Sequence, residues 1–307
     1  MASRKVPSVR LGNSGLKVSR LILGCGAYGS SGWQPWIVNE EDTIKLIKAA
    51  YDLGIQTFDT ADAYSNGGSE VVLGKAIKQH DLPRDEIVVM TKSEWYYNLH
   101  EKAEANGYVN QFGLSRKHIF AGVQASLRRL GLDYVDVLFY YALIHNLTPF
   151  IAMQDQYSLL YREEEREMLP TLKVSSLLSR PVRCSLAPAF RCGVYALVAL
   201  ARGLLTHPLE EKTYRSSTDR FGIPLLQGGG KDIIKRVEET AKRRGISMAQ
   251  IALAWHLHKD GITTPVIGAS TEAKLNDLIG ALDVELDDQE ISYLEAAYKP
   301  MPIIGHP

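Results

Sequence analysis

The chain has 307 residues, 45% hydrophobic and 23% charged, which suits one globular domain spanning residues 1–307. Thirty-five basic residues balance 35 acidic ones, so the charge gives no reason to expect a nucleic-acid partner. No apolar run is long enough to span a membrane, the start MASRKVPSVR lacks the apolar core of a signal peptide, and three cysteines make neither a disulfide framework nor a metal spacing, so a cytoplasmic protein without a metal is expected.

Residues 8–19 alternate Val9, Leu11, Leu16 and Val18 around Gly12-Asn13-Ser14-Gly15, the pattern of a β-hairpin. Leu21 to Gly24 reads as a strand. The glycine-rich stretch Gly24 to Gly29 either admits a cofactor close to the backbone or is simply a turn. Asn39 caps a helix through Ile44, Leu46, Ile47, Ala50 and Leu53, and Gly54 stops it. Thr57-Phe58 then forms a short strand that ends in Asp59. Tyr64 follows in the loop, before a helix from Ser69 to Ile77. The strand Ile87 to Lys92 ends in a lysine. In parallel α/β folds chemistry sits at the C-terminal ends of the strands. Asp59, Tyr64 and Lys92 at one rim make a proton-donating unit. A free tyrosine has a pKa of about 10, and a neighbouring ammonium lowers it. A carboxylate beside the lysine keeps that ammonium charged and fixed. Such a tyrosine protonates a carbonyl oxygen while a hydride reaches the carbon.

Trp95, Tyr96 and Tyr97 either wall a pocket or pack on the rim. Ser115 caps a helix with the stripe Ile119, Val123, Leu127, Leu130, stopped by Gly131, and Arg116, Lys117, Arg128 and Arg129 read as its solvated face. Val135 to Tyr140 is a fourth strand. Only the nine residues Tyr141 to Pro149 separate it from the next strand, Phe150 to Gln154. Parallel neighbours need a crossover of at least about 10–12 residues, so a piece is missing. Tyr161 to Leu172 reads as a helix with the acidic start Glu163-Glu164-Glu165. Residues 174–199 have no period and fall in a stretch without Asp or Glu from Glu167 to Glu210. They read as a linker or as a frame-shifted or intron-derived translation, and the second is preferred. Gly193 to Gly203 is a strand with its loop, and Thr206 to Gly230 a long polar loop. Lys231 to Arg244 is a helix ended by Gly245. Ser247 and Gln250 form a capping box for the next helix, on which His256 and His258 are structural or exposed. Pro265 to Ala269 is the last strand, and Ser270-Thr271 caps the helix Glu272 to Leu282, whose backbone amides favour a phosphate. Asp287 and Glu290 open the last helix.

Gly54, Asp59, Thr60, Ala61, Tyr64, Glu70, Leu73 and Gly74, with Lys92, resemble the signature of the aldo-keto reductases, more narrowly the fungal members close to the potassium-channel β-subunit branch. The resemblance covers most of residues 8–172 and 200–307. It implies an α/β fold, the (β/α)8 TIM barrel with an N-terminal β-hairpin plugging its floor. It implies NADPH as cofactor and a small carbonyl substrate, with Asp59, Tyr64 and Lys92 catalytic. For the cofactor it implies Gly24, Gln154 at the nicotinamide carboxamide, Leu200, Arg202, Ser270, Lys274 at the 2′-phosphate and Asp277 at the adenine, with Leu278 where the family has Asn. At roughly 30 residues per βα unit, something like 50 residues are absent near 140–150, among them strand five and its helix. The family's catalytic His lies in a motif like L-x-I-H-R, where this chain reads Leu138-Phe139-Tyr140-Tyr141. His145 is the rival candidate, but the register of Asn146 to Phe150 assigns it to the tail of the deleted helix. Leu197 stands where the family has an aromatic that stacks on nicotinamide, and Val198 replaces a serine. Three readings follow: an NADP-dependent reductase with impaired turnover, a non-catalytic NADPH-binding module, or a mis-assembled gene product.

Overall fold

The structure, a computed structural model, describes residues 6–93, 107, 110, 113, 115–139, 151–172 and 192–303. These fall into two compact units, the first within Met1–Pro7, Ile22–Pro149 and Gly268–Leu275, the second within Ser8–Leu21, Phe150–Ile267 and Asn276–Pro307. The chain opens on the expected hairpin, β1 (Ser8–Arg10) and β2 (Lys17–Ser19), antiparallel with Val9 opposite Val18; it belongs to the second unit.

The first unit is a parallel sheet of β3 (Ile22–Gly24), β4 (Thr57–Asp59), β5 (Val88–Lys92) and β6 (Val137–Phe139), paired in that order. All three residues of β4 are buried, as befits a strand covered on both faces. Helix α1 (Glu40–Asp52) starts where the sequence places it, because the Asn39 side chain accepts the Asp42 N–H at 3.0 Å. Helix α2 (Gly68–Gln79) packs on α3 (Arg116–Leu130) through Gly74, where a Cβ would collide with the Leu130 carbonyl. The Ser115 cap and the Gly131 stop of α3 are as expected, the latter at φ 66°. Its buried face is shifted, however, to His118, Ile119, Gly122, Ser126 and Leu130. Arg129 is not part of a solvated face: its Nε lies 2.6 Å from Glu70, which is fully buried.

The second unit carries the parallel strands β7 (Ala152–Gln156), β8 (Gly193–Leu197) and β9 (Thr264–Ile267), with Gln154 opposite Tyr195 and Tyr195 opposite Thr264. Around them lie α4 (Tyr214–Thr218), α5 (Gly230–Arg244), α6 (Met248–His258) and α8 (Asp288–Glu295), while α7 (Glu272–Ile279) straddles the division between the units. The core gathers Tyr157, Trp255, Ile233, Val237, Ile251 and Leu294. Trp255 stacks on Tyr157 at 5.2 Å and donates its indole N–H to Glu295 at 2.7 Å. Among the described residues no helix is long and apolar enough to cross a membrane.

Several sequence expectations are corrected here. Tyr161 to Leu172 is not one helix: Tyr161 bridges to Ser158, and Glu163–Glu165 is a single 3-10 turn. The acids have tertiary partners instead. Glu163 accepts the Tyr298 hydroxyl at 2.7 Å and the Met301 N–H at 2.9 Å, and Glu165 takes Arg162. The stretch 206–230 contains α4 and a 3-10 segment, Arg220–Leu226, each capped by a side chain, Thr213 and Asp219. Ser247 caps α6, but the Gln250 amide donates to the Asp277 carbonyl at 2.9 Å and does not complete a box. The helix expected to reach Leu282 ends at Ile279 and tightens into a 3-10 turn. Gln154 sits mid-strand, since β7 continues to Gln156. Of residues 174–199, the last part forms β8 and its turn; the remainder, with Tyr140 to Phe150, lies outside the described residues. Among the described residues, β6 and β7 are each an edge strand of their own unit's sheet.

Asp155 on β7 is only 8% exposed, and among the described residues its Oδ2 has no hydrogen-bond partner. Burial, with a smaller push from Glu164, raises its pKa to about 7. The folded state therefore keeps a proton that the unfolded chain gives up near pH 4. Whatever stability that proton supports is present below about pH 4 and is lost as the pH rises through about 7. Asp155→Asn is expected to be more stable than the wild type at pH 8 by on the order of a few kcal/mol, and so to melt at a higher temperature, with the difference shrinking at pH 5. Thermal melts of both proteins across that range check it.

Candidate active site

Three candidates meet in the first unit. Asp59 ends β4, is 1% exposed, and takes the Lys92 ammonium at 2.7 Å. Lys92, at the end of β5, also donates to the Thr60 carbonyl at 2.8 Å. Its Nζ stands 4.9 Å from the centroid of the Tyr64 ring. Strand pairing fixes this approach: the Thr60 N–H bonds the Met90 carbonyl at 2.9 Å and the Asp62 N–H the Lys92 carbonyl at 3.1 Å. Tyr64 is delivered by a tight turn in which Ser65 (φ 51°), Asn66 (φ 54°) and Gly67 (φ 85°) are successively left-handed. That conformation is unfavourable for side-chain-bearing residues and is held by other contacts. The Ser65 hydroxyl donates to the Tyr28 carbonyl and accepts the Ser30 N–H, both at 3.2 Å. The ring lies against Gly26, where an added Cβ would stand in ordinary contact with it at 3.5 Å. Trp33 stands 6.5 Å from it, centroid to centroid.

The electrostatics differ from the sequence expectation in one respect. Burial pulls the Lys92 ammonium down, but Asp59 and then Tyr64 push it up by more, so it titrates above its ordinary value. For Tyr64, burial raises the pKa, Lys92 lowers it and Asp59 raises it, and the net shift is upward. The lysine does act in the expected direction, but desolvation of the phenolate outweighs it. Tyr64 is thus a neutral phenol at pH 7, able to give a proton, with a fixed positive charge beside it to receive the phenolate that results. Cys25, buried behind this group, is raised well above a normal thiol by burial and is inert.

The other candidates divide between the units. In the first, Gly24 closes β3 opposite Asp59. Lys274 donates to the Ser270 hydroxyl at 2.9 Å, and its N–H is capped by Thr271 at 3.2 Å. This places an exposed ammonium, a hydroxyl and the first amides of α7 together, the composition of a phosphate site. In the second unit, Val198 (φ 60°), Ala201 (φ 49°), Arg202 (φ 59°) and Gly203 (φ 95°) turn left-handed around Leu200. Leu200 (φ −93°) followed by Ala201 (φ 49°) is a right-then-left-handed step, a backbone arrangement whose successive N–H groups can form an anion-binding concavity. A β-branched residue such as Val198 is strained in the left-handed region. Arg202 reaches Asp219 at 3.1 Å and lies 5.1 Å over the Phe221 ring; Arg215 approaches the same carboxylate at 3.4 Å. A long polar loop over Thr206 to Gly230 gives no sign in the sequence of these partners, which are remote in sequence from Arg202. The Asp277 carboxylate accepts the Ser247 hydroxyl at 2.8 Å. His256 is fully buried against the Ala199 carbonyl at 3.1 Å, and burial lowers it to about 4, a structural role, while His258 is exposed. His145, Trp95, Tyr96 and Tyr97 lie outside the described residues.

Comparison with known proteins bears on the whole chain. The sequence profile described as the Aldo/keto reductase family matches residues 20–145 and 140–299, two segments that overlap at 140–145. A Schizosaccharomyces pombe protein with the provisional name aryl-alcohol dehydrogenase is 37% identical over 360 residues, covering 96% of this chain and 96% of that protein. The versiconal hemiacetal acetate reductase of Aspergillus parasiticus is 37% identical over 362 residues, covering 97% and 98%. An Alternaria alternata aldo-keto reductase is 36% identical over 367 residues, covering 99% and 95%. Each matched length exceeds the 307 residues of this chain, so the relatives carry internal sequence that it lacks. The Asp59–Lys92–Tyr64 cluster, the parallel strands that present it and the match along most of the sequence agree: the chain belongs to the aldo/keto reductase family, an oxidoreductase family.

Proposed function

We propose that this chain is built as an NADP-dependent reductase of small aldehydes and ketones, in which Tyr64 gives a proton to the carbonyl oxygen. The observation that carries this reading is the ion pair of Lys92 with Asp59 at 2.7 Å, set beside a neutral Tyr64. Asp59 holds the ammonium, and the ammonium stabilises the phenolate left after the proton departs. NADPH, when bound, supplies the hydride. The chain fits such a cofactor at separate points: the turn from Leu200 to Gly203 suits a pyrophosphate, and Ser270, Lys274 and the amides of α7 suit a 2′-phosphate. Gly24, Gln154, Leu200, Arg202 and Asp277 complete the expected set. A relative named for aryl alcohols makes an aromatic aldehyde a suitable trial substrate. The free thiols Cys25 and Cys192 accord with a reducing, cytoplasmic setting.

A second observation qualifies turnover. The profile matches in two segments that overlap at 140–145, and no histidine stands at the sequence position after β6 where the family has its fourth catalytic residue. A positioned acid–base group contributes typically about 10²–10⁴-fold, so carbonyl reduction is expected to be severely impaired, in the limit leaving a cofactor-binding module or a mis-assembled product.

Two outcomes are expected. Fluorescence-quenching titrations should show tighter binding of NADPH than NADH, with the preference abolished in Lys274→Glu; equal affinities in the wild type would contradict the 2′-phosphate assignment. Steady-state assays with an aromatic aldehyde and NADPH should show weak turnover that is lost in Tyr64→Phe and kept in His145→Ala. Family-typical turnover that collapses in His145→Ala would show that His145 is the missing fourth member.

A further inference from the structure

Beneath Lys92 and Tyr64 lies a second charged cluster that the proposed reaction does not use directly. Glu70 on α2 is fully buried. One of its oxygens accepts the Thr91 hydroxyl at 2.6 Å and the other the Arg129 Nε at 2.6 Å. Thr91 immediately precedes Lys92 on β5. Arg129, in the last turn of α3, also donates to the Ser126 hydroxyl at 3.2 Å. Its stem runs under the turn that carries Tyr64: a Cβ added to Gly67 would lie 2.7 Å from the Arg129 Cδ and 2.8 Å from its Nε. Asp62, between Asp59 and Tyr64, is 3% exposed, and its N–H bonds the Lys92 carbonyl at 3.1 Å. One guanidinium therefore packs against the Tyr64 turn and, through Glu70, reaches the strand residue next to Lys92. An ion pair serving only to join α2 to α3 would need neither the Thr91 bond nor the Gly67 contact.

We propose that Arg129 is a positioning residue. Through Glu70 and Thr91 it holds the end of β5, and through Gly67 it supports the Tyr64 turn, so that Lys92 and Tyr64 stay together. The proposal rests on the reading of Tyr64 as the proton donor. Displacing a reacting group by about 1 Å can cost on the order of 10²-fold in rate without touching substrate binding.

The test compares the wild type with Arg129→Gln, Arg129→Lys and Thr91→Val in two measurements. The first is kcat and KM for an aromatic aldehyde at saturating NADPH. The second is the rate at which acetic anhydride acetylates Lys92, read by mass spectrometry against the exposed Lys45. Arg129→Gln should lower kcat about tenfold or more at nearly unchanged KM, and should acetylate Lys92 several-fold faster while Lys45 is unaffected. Arg129→Lys should recover part of both effects, and Thr91→Val should shift both in the same direction by less. A variant that melts earlier yet keeps the kcat and the Lys92 labelling of the wild type would overturn the proposal, leaving Arg129 merely structural. If the wild type shows no turnover, the reductase reading fails, and Lys92 labelling still decides the role of Arg129. If Arg129→Gln does not fold, the near-isosteric Thr91→Val decides it.

Discussion

The ion pair between Asp59 and Lys92 is the constraint on which the first unit depends. Asp59 is almost completely buried, and breaking a buried ion pair from one side costs about 3–5 kcal/mol. The pair exists because β4 and β5 are adjacent and parallel, with Asp59 opposite Met90 and the Thr60 N–H on the Met90 carbonyl. That register puts a carboxylate and an ammonium at neighbouring strand ends. Tyr64 then needs only a short turn to join them, and the left-handed run Ser65 to Gly67 is the local conformational cost of so short a path. Buried ion pairs are weak evidence for stability as such. Their value here lies in fixing where a proton leaves and where the resulting charge is received.

The second unit concentrates its unfavourable backbone in the turn after β8, where Val198, Ala201 and Arg202 all lie in the left-handed region. Such strain persists where the surroundings impose it and is commonest at ligand-contacting loops. Asp219 and Phe221 hold the Arg202 side chain from one side, so the turn and the 3-10 segment Arg220–Leu226 form one connected structure. Behind it the core of Tyr157, Trp255 and their ion-paired neighbours is closed by the chain's last helix: Glu295 on α8 receives Trp255, Arg162 and Lys259 within 2.7–2.9 Å.

The elements with strong local signals were legible in the sequence. Asn39, Ser115 and Asp287 each cap a helix, Gly245 stops one, and the hairpin follows its alternation, because these are properties of a few adjacent residues. The trio Asp59, Tyr64 and Lys92 was legible because strand ends can be read from short apolar runs. The errors arose where distant partners override local preference. Three consecutive glutamates look like a helix start, yet Glu163 and Glu165 are claimed by Tyr298 and Arg162. Arg129 looks like a surface charge on the α3 sequence, and only the fold reveals the buried Glu70 opposite it. The direction of the Tyr64 shift was misjudged for a similar reason: the neighbouring charge is visible in the sequence, whereas the degree of burial is not.

Everything at this rim depends on Asp59 keeping Lys92 charged beside Tyr64. The most direct measurement is a nitrogen-15 NMR titration of the Lys92 side chain in the wild type and in Asp59→Asn. The wild-type midpoint should lie above the ordinary lysine value of about 10.4 and that of Asp59→Asn lower, since there burial acts without its main opposing charge. Equal midpoints in the two proteins, or a wild-type midpoint below that of free lysine, would contradict it.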